Sequence, residues 1–127
     1  MNNIGFPRAT WWSPLPRPFS LNNAYGNSKS GGRHRTKEFL AWKAEAKSMI
    51  MANGPRPWFI RCHVTLWIDP AHLAPKADID NLSKPVLDVL KEMNIFPDDS
   101  WQVVQDNRQR LARNLPAPMV VEIIGVG

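Results

Sequence analysis

The residues best suited to acid chemistry in this 127-residue chain fall in one short stretch. Asp78 and Asp80 stand two apart in Asp78-Ile79-Asp80-Asn81, Lys84 follows, and Asp98-Asp99 comes later, with Asp99 nineteen positions after Asp80. In an extended segment residues i and i+2 project to the same side, so Asp78 and Asp80 would present two carboxylates together. Two such charges ~4 Å apart repel by roughly 4 kcal/mol at an effective dielectric of ~20, so the pair calls for a proton or a cation. Mg2+ suits it, because that ion takes a few carboxylates and completes its octahedron with water and substrate phosphate. Asp98 and Asp99, carried by a turn, would supply a third oxygen. The same Asp-x-Asp-Asn pattern is also a capping turn ahead of a helix, and Lys84 is spaced to pair with Asp88 one helical turn on. From the residue pattern both readings stand.

The charge balance favours phosphate as a partner. Sixteen Lys and Arg against eleven Asp and Glu leave +5. Residues 1–60 hold nine basic and two acidic side chains, whereas seven of the eleven acids lie between Asp78 and Asp106. An acidic cluster inside a basic chain is the pattern to explain. Lys29, Arg33, His34, Arg35 and Lys37, in a stretch rich in Gly, Ser and Asn, are candidates for phosphate contact or for a merely solvated loop.

The elements that must position these residues are short. Twelve prolines and seven glycines cut the chain into pieces joined by stiff turns, which argues against a helical bundle or coiled coil. Ile4 to Leu15 reads as an edge strand leaving through Pro14, Pro16 and Pro18. Residues 22 to 35 read as a long loop. A helix starts behind Thr36 as N-cap, carries Phe39, Leu40, Trp42, Ala46, Met49 and Ile50 as its apolar stripe, and stops at Asn53-Gly54-Pro55. Trp58 to Asp69 alternates as a strand with Trp58, Ile60, Cys62, Val64, Leu66 and Ile68 on one face. A second helix opens with Ser83 as N-cap, which puts Pro85 at a position where its missing N–H costs nothing. A strand from Trp101 to Leu111 and another from Met119 to Ile124 complete the order β-α-β-α-β-β. The expectation is a single α+β domain over residues 1–127, with a mixed sheet of about four strands and two principal helices.

The remaining chemistry-bearing residues are less specific. Cys62 and His63 are neighbours on a strand and point to opposite faces, so a shared metal is not expected; a buried thiol and a surface imidazole are. One cysteine excludes an internal disulfide and fits a reducing compartment. Trp42 and Trp58 read as core, while Trp11, Trp12 and Trp67 suit core, dimer interface or base stacking equally. No stretch approaches 18 apolar residues, and prolines interrupt the N-terminus, so neither a membrane span nor a signal peptide is expected and a cytoplasmic location is.

Order and spacing from about residue 14 to 124 resemble the RusA family of Holliday-junction resolvases. The residues that carry the resemblance are Pro16-Arg17-Pro18-Phe19-Ser20-Leu21-Asn22-Asn23-Ala24-Tyr25, then Thr36-Lys37-Glu38-Phe39 with Trp42. The Asp78-Ile79-Asp80-Asn81-Leu82-x-Lys84-Pro85-x-Leu87-Asp88-x-Leu90 block and Phe96-x-Asp98-Asp99-x2-Gln102-Val103-Val104 follow. The resemblance implies a small homodimeric endodeoxyribonuclease, bacterial or phage-encoded, active in DNA recombination and repair. It implies that Asp78, Asp80 and Asp99 bind Mg2+, with Mn2+ as a substitute, that Lys84 is the catalytic lysine, and that Asp98 sits beside the matched position. Asn23, Tyr25, Lys29, Arg33, Arg35, Lys37 and Lys76 are the expected DNA contacts, although 71–77 is only lightly basic where the family can be denser.

A four-way junction has approximate two-fold symmetry, so one site per subunit of a C2 dimer would deliver the two opposed nicks that resolution needs. Two alternatives share most of these residues: a nuclease selective for flaps or forks, and a branched-DNA-binding protein without catalysis. The intact set Asp78, Asp80, Lys84 and Asp99 counts against the second, because a pure binder gains nothing from carboxylates facing phosphate. A small RNA-binding domain would need an exposed aromatic strand face and has no matching motif here.

Overall fold

The structure is a computed structural model that describes residues 10–20, 25–27 and 33–126. Its strands and helices follow the order β1 (Thr10–Leu15), β2 (Tyr25–Asn27), β3 (Arg33–Arg35), α1 (Lys37–Ala52), β4 (Cys62–Ile68), α2 (Ser83–Glu92), β5 (Val104–Leu111) and β6 (Met119–Gly125). Four strands form one mixed sheet in the order β1-β6-β4-β5; β4 and β5 run parallel and the other pairs antiparallel. The expected α+β architecture is therefore present. Within the stretch read as a loop, the sequence also forms a small antiparallel ribbon, with Tyr25 opposite Arg35 and Asn27 opposite Arg33.

Each element has a local cause. The Thr36 hydroxyl accepts the Phe39 N–H at 3.2 Å and caps α1. The helix buries Phe39, Trp42, Lys43, Ala46 and Ile50; Leu40 falls outside that stripe and is exposed. Asn53 closes it and Gly54, at φ 114, takes the chain out through a conformation that favours glycine. α2 starts one residue earlier than expected, with Leu82 rather than Ser83 at the N-cap. Pro85 thus becomes the third helical residue, still among the first four whose N–H has no partner within the helix. Asn94, at φ 60, turns the chain away after α2.

Both helices share one core with the inner face of the sheet: Leu15, Cys62, Val64, Leu66, Ile68, Met119, Val121 and Ile123 pack with Phe39, Trp42, Val86 and Leu90. The strand before this core is shorter than expected. β4 begins only at Cys62, where the pairing with β5 slips, and ahead of it the inward side reverses. Phe59 is buried and its N–H reaches the Ile95 carbonyl at 2.8 Å, whereas Trp58, read as core, is 56% exposed and Ile60 is exposed too. Alternation holds only while the chain stays in the ladder, and 58–61 lies outside it. β5 likewise starts at Val104, because Val103 and Val104 both donate to the Ser100 carbonyl and hold 100–103 as a turn. Cys62 is buried, which pushes its thiol up to about 11, and His63 beside it is half-buried. β1 lies at the sheet edge as expected; residues 4–9 of that predicted strand lie outside the described residues.

The parallel pair dictates where a site can form. Joining β4 to β5 needs a crossover, and α2 is its helix. The chain therefore leaves the C-terminal end of β4, passes through 69–82, enters α2, and doubles back through 93–103 before β5 begins.

Candidate active site

The acidic motif occupies the approach to α2. Asp78 has extended backbone, and its carboxylate accepts the Asp80 N–H at 3.1 Å and the Asn81 side-chain amide at 3.3 Å. It thereby caps a single 3-10 turn, Ile79–Asn81. Asp80 lies within that turn rather than in an extended strand, so the two carboxylates are related by turn geometry and not by strand alternation. The capping role weighed from sequence is real for Asp78, and its oxygens keep further lone pairs for a second partner. The Asp80 carboxylate is exposed, and among the described residues no side chain pairs with it.

Lys84, in the first turn of α2, sits between two carboxylates. Its ammonium is hydrogen-bonded to Asp99 and lies 3.3 Å from Asp88, four residues on along the helix. Asp99 is fifteen residues away in sequence and arrives because the chain after α2 doubles back. Partial burial opposes the charge on Lys84, but the hydrogen bond it donates to Asp99 and the attraction of Asp88 and Asp99 outweigh it and raise the pKa above the usual lysine value. The Lys84 hydrogen bond in turn holds the Asp99 carboxyl below its usual range against the opposing effect of burial. Lys84 is therefore a cation at any neutral or moderately alkaline pH and has no free pair with which to act as a base.

The structure thus unites Lys84 with Asp99 and links Asp78 to the backbone of Asp80. Oxygen donors alone, with no thiolate or imidazole among them, fit a hard cation. Yet among the described residues no three acidic, His or Cys side chains converge closely enough to hold one as they stand. The positive charge at Asp99 is the Lys84 ammonium, so a cation shared by Asp78, Asp80 and Asp99 requires Asp99 to exchange partners. Asp98 is exposed next to it.

A second ionic cluster was not anticipated from sequence. Glu92, at the end of α2, accepts from Lys43 and, at 2.8 Å, from Lys47, both on α1, and lies 3.6 Å from the Arg35 guanidinium at the end of β3. Burial alone would raise the Glu92 pKa; the hydrogen bonds from Lys43 and Lys47 outweigh it and lower it. Lys43 is only 3% exposed and lies 4.9 Å from the centre of the Phe39 ring. The signal was available: a lysine between Trp42 and Ala46 on an apolar stripe needs a buried counter-charge. Of the other expected DNA contacts, Lys37 and Lys76 are exposed, the backbone of Tyr25 and Arg33 lies on the β2–β3 ribbon, and Asn23 and Lys29 lie outside the described residues.

A lysine clamped by carboxylates beside an acidic turn, in a chain of charge +5, suits an enzyme that works on phosphate esters. The comparison with protein families makes this definite. The family model described as Endodeoxyribonuclease RusA matches residues 16–123, nearly the whole chain and every site residue named above. The chain belongs to the RusA endodeoxyribonuclease family and is a nuclease that acts on DNA. No curated protein matches it. Among the described residues, no helix is long and apolar enough to cross a membrane.

Proposed function

We propose that this protein is a metal-dependent, structure-selective endonuclease that resolves four-way DNA junctions by paired, symmetric nicks, acting as a C2 homodimer. The observation that carries the reading is the placing of Lys84 against Asp99 at the start of α2, directly after the Asp78–Asp80 turn, in a chain of this family. Asp78, Asp80 and Asp99 would hold Mg2+, or Mn2+ in its place. When bound, the ion supplies Lewis-acid charge to a phosphate oxygen and lowers the pKa of water.

The protein's own side chains then have separate tasks. Asp99 would exchange Lys84 for the cation, and the Lys84 ammonium would donate to a non-bridging oxygen of the scissile phosphate, where charge builds as water adds to phosphorus and gives its proton to solvent and the ester oxygen leaves. Lys84 acts as a fixed positive charge rather than a proton acceptor, since Asp88, one helical turn on, stays 3.3 Å from its ammonium. The Asp78–Asn81 turn fixes the Asp78 carboxylate and the backbone that carries Asp80 before substrate arrives. The Arg35, Lys43 and Lys47 cluster around one carboxylate leaves a local excess of positive charge close to the β2–β3 ribbon, which suits passage of a DNA backbone.

The test is cleavage of a synthetic mobile four-way junction beside linear duplex, flap and fork controls, in Mg2+ or EDTA, for wild type and Asp80→Asn. Paired nicks on the junction are expected, with a loss of about 100-fold or more in the variant while junction binding persists. Preferred cutting of flaps or forks would replace the junction reading. Binding without cutting under any metal would remove the catalytic one. Sedimentation at micromolar concentration should give twice the chain mass, and a fully active monomer would refute the dimer.

A further inference from the structure

Trp101 is the most exposed of the large apolar side chains among the described residues, at 78%, and it stands two positions after Asp99. Its exposure is not the looseness of an unanchored loop. Val103 and Val104 donate to the Ser100 carbonyl at 3.0 and 2.8 Å, and the Cys62 N–H reaches the Val103 carbonyl at 2.8 Å, so the turn is tied to the start of β4. Among the described residues no ring and no cation packs on the indole. The carboxylate that meets Lys84 therefore stands directly before this anchored turn, and the turn carries, two residues on, the most exposed large apolar side chain among the described residues.

We propose that Trp101 is a base-stacking residue of the nuclease site, its indole lying on a nucleobase within one or two nucleotides of the scissile phosphate. The proposal rests on the nuclease reading above and adds to it a contact that sets where the cut falls. Two residues span at most about 7 Å, and nucleotides of one strand rise ~3.4 Å each, so a phosphate held by the Asp99–Lys84 group puts the neighbouring bases within reach of the ring. Stacking needs an unpaired or easily unstacked base, which a branch point offers and continuous duplex does not. An aromatic face accepts every base, so Trp101 favours branched over linear DNA without reading a strict sequence. The other exposed apolar residues at this end, Trp58 and Ile60, offer the competing role of a subunit contact, which the same experiment separates.

The experiment uses the whole protein and four-way junctions carrying 2-aminopurine at single positions around the branch point. Binding is read by fluorescence in EDTA, cutting in Mg2+, and mass by sedimentation, for wild type, Trp101→Ala, Trp101→Phe and Trp101→Leu. Wild type should quench the probe at one or two positions next to the cut. Trp101→Ala and Trp101→Leu should lose that quench, bind the junction about 5- to 150-fold more weakly, and spread the cuts over more positions, while Trp101→Phe restores most of each. Melting temperature and mass should not change, since the side chain is largely outside the core.

Wild-type quench and affinity in Trp101→Ala, or full rescue by leucine, would overturn the stacking role. So would a loss that follows a fall to monomer mass, which would make Trp101 a subunit contact. Wild type that quenches but never cuts would keep the stacking and refute the nuclease reading. Wild type that cuts junctions while Trp101→Ala cuts and binds identically would do the reverse.

Discussion

Replacing Glu92 by glutamine should destabilise the protein more than any other single change of charge in the α1–α2 contact. The carboxylate accepts from Lys43 and Lys47 and faces Arg35, and of these Lys43 is buried, with 4% of its side chain exposed against 28% for Glu92. Removing one partner from a fully buried pair leaves an uncompensated charge at a cost of ~3–5 kcal/mol. Because Glu92 is partly open to water, a loss of about 2–3 kcal/mol is expected. An entropy of unfolding of ~2.1 cal/mol/K per residue gives roughly 0.27 kcal/mol/K for a chain of this size, so Tm should fall by about 7–11 °C.

Lys43→Met should behave differently. It removes the buried charge and keeps most of the volume, while Glu92 retains Lys47 and Arg35, so a change within about 1 kcal/mol is expected. The pH dependence supplies a second check. The folded pKa of Glu92 is depressed, so its contribution is present above the unfolded value of ~4.3 and is lost as pH falls through the lower folded value. The gap between wild type and Glu92→Gln should close accordingly below about pH 4. Thermal and urea unfolding of the three proteins from pH 3 to 8 reads all of this. A Glu92→Gln loss under about 1 kcal/mol, or a Lys43→Met loss larger than that of Glu92→Gln, would refute the reasoning.

Other expectations concern the site. Lys84→Met should lower single-turnover cleavage by about 100-fold or more and junction affinity far less; equal losses in both would show that Lys84 binds rather than stabilises the transition state. The Lys84–Asp99 pair is partly open to solvent and Lys84 keeps Asp88 beside it, so Asp99→Asn should change stability by about 1 kcal/mol at most while abolishing cleavage, and a collapse in Tm would assign Asp99 a structural role instead. The raised Lys84 pKa means its contribution is complete below the unfolded value of ~10.4 and is lost only as pH rises through the folded one. Urea unfolding from pH 7 to 9 should therefore show no loss of stability that Lys84→Met removes. Trp42→Phe removes the indole N–H that meets the Arg17 carbonyl at 2.8 Å in a partly buried hydrogen bond, and denaturant unfolding should show a loss of about 1–2 kcal/mol.

Periodicity and capping chemistry were enough for the main elements, because those signals are local. Thr36 as a helix cap, the alternation from Cys62 to Ile68, β1 as an edge strand and the α+β order all follow from nearest neighbours in the chain. The failures fall where the ladder ends or where a remote group intervenes. Trp58 continued the alternation on paper but precedes the first paired residue, and Trp101 looked like a strand opening until two N–H groups closed on Ser100. The β2–β3 ribbon is too short to leave a periodic pattern at all.

The acidic motif and its basic surroundings were likewise legible, since the types and spacing of Asp78, Asp80, Lys84 and Asp99 are properties of the linear chain. Which carboxylate holds Lys84 was not. Asp88 is its neighbour by helical spacing, but Asp99 is brought to it only by the crossover between parallel strands and the return of the chain after α2, a long-range geometry that no local pattern encodes. The same holds for Glu92 and Lys43, forty-nine residues apart: a buried lysine announces that a partner must exist, and only the packing of α1 on α2 decides which one it is.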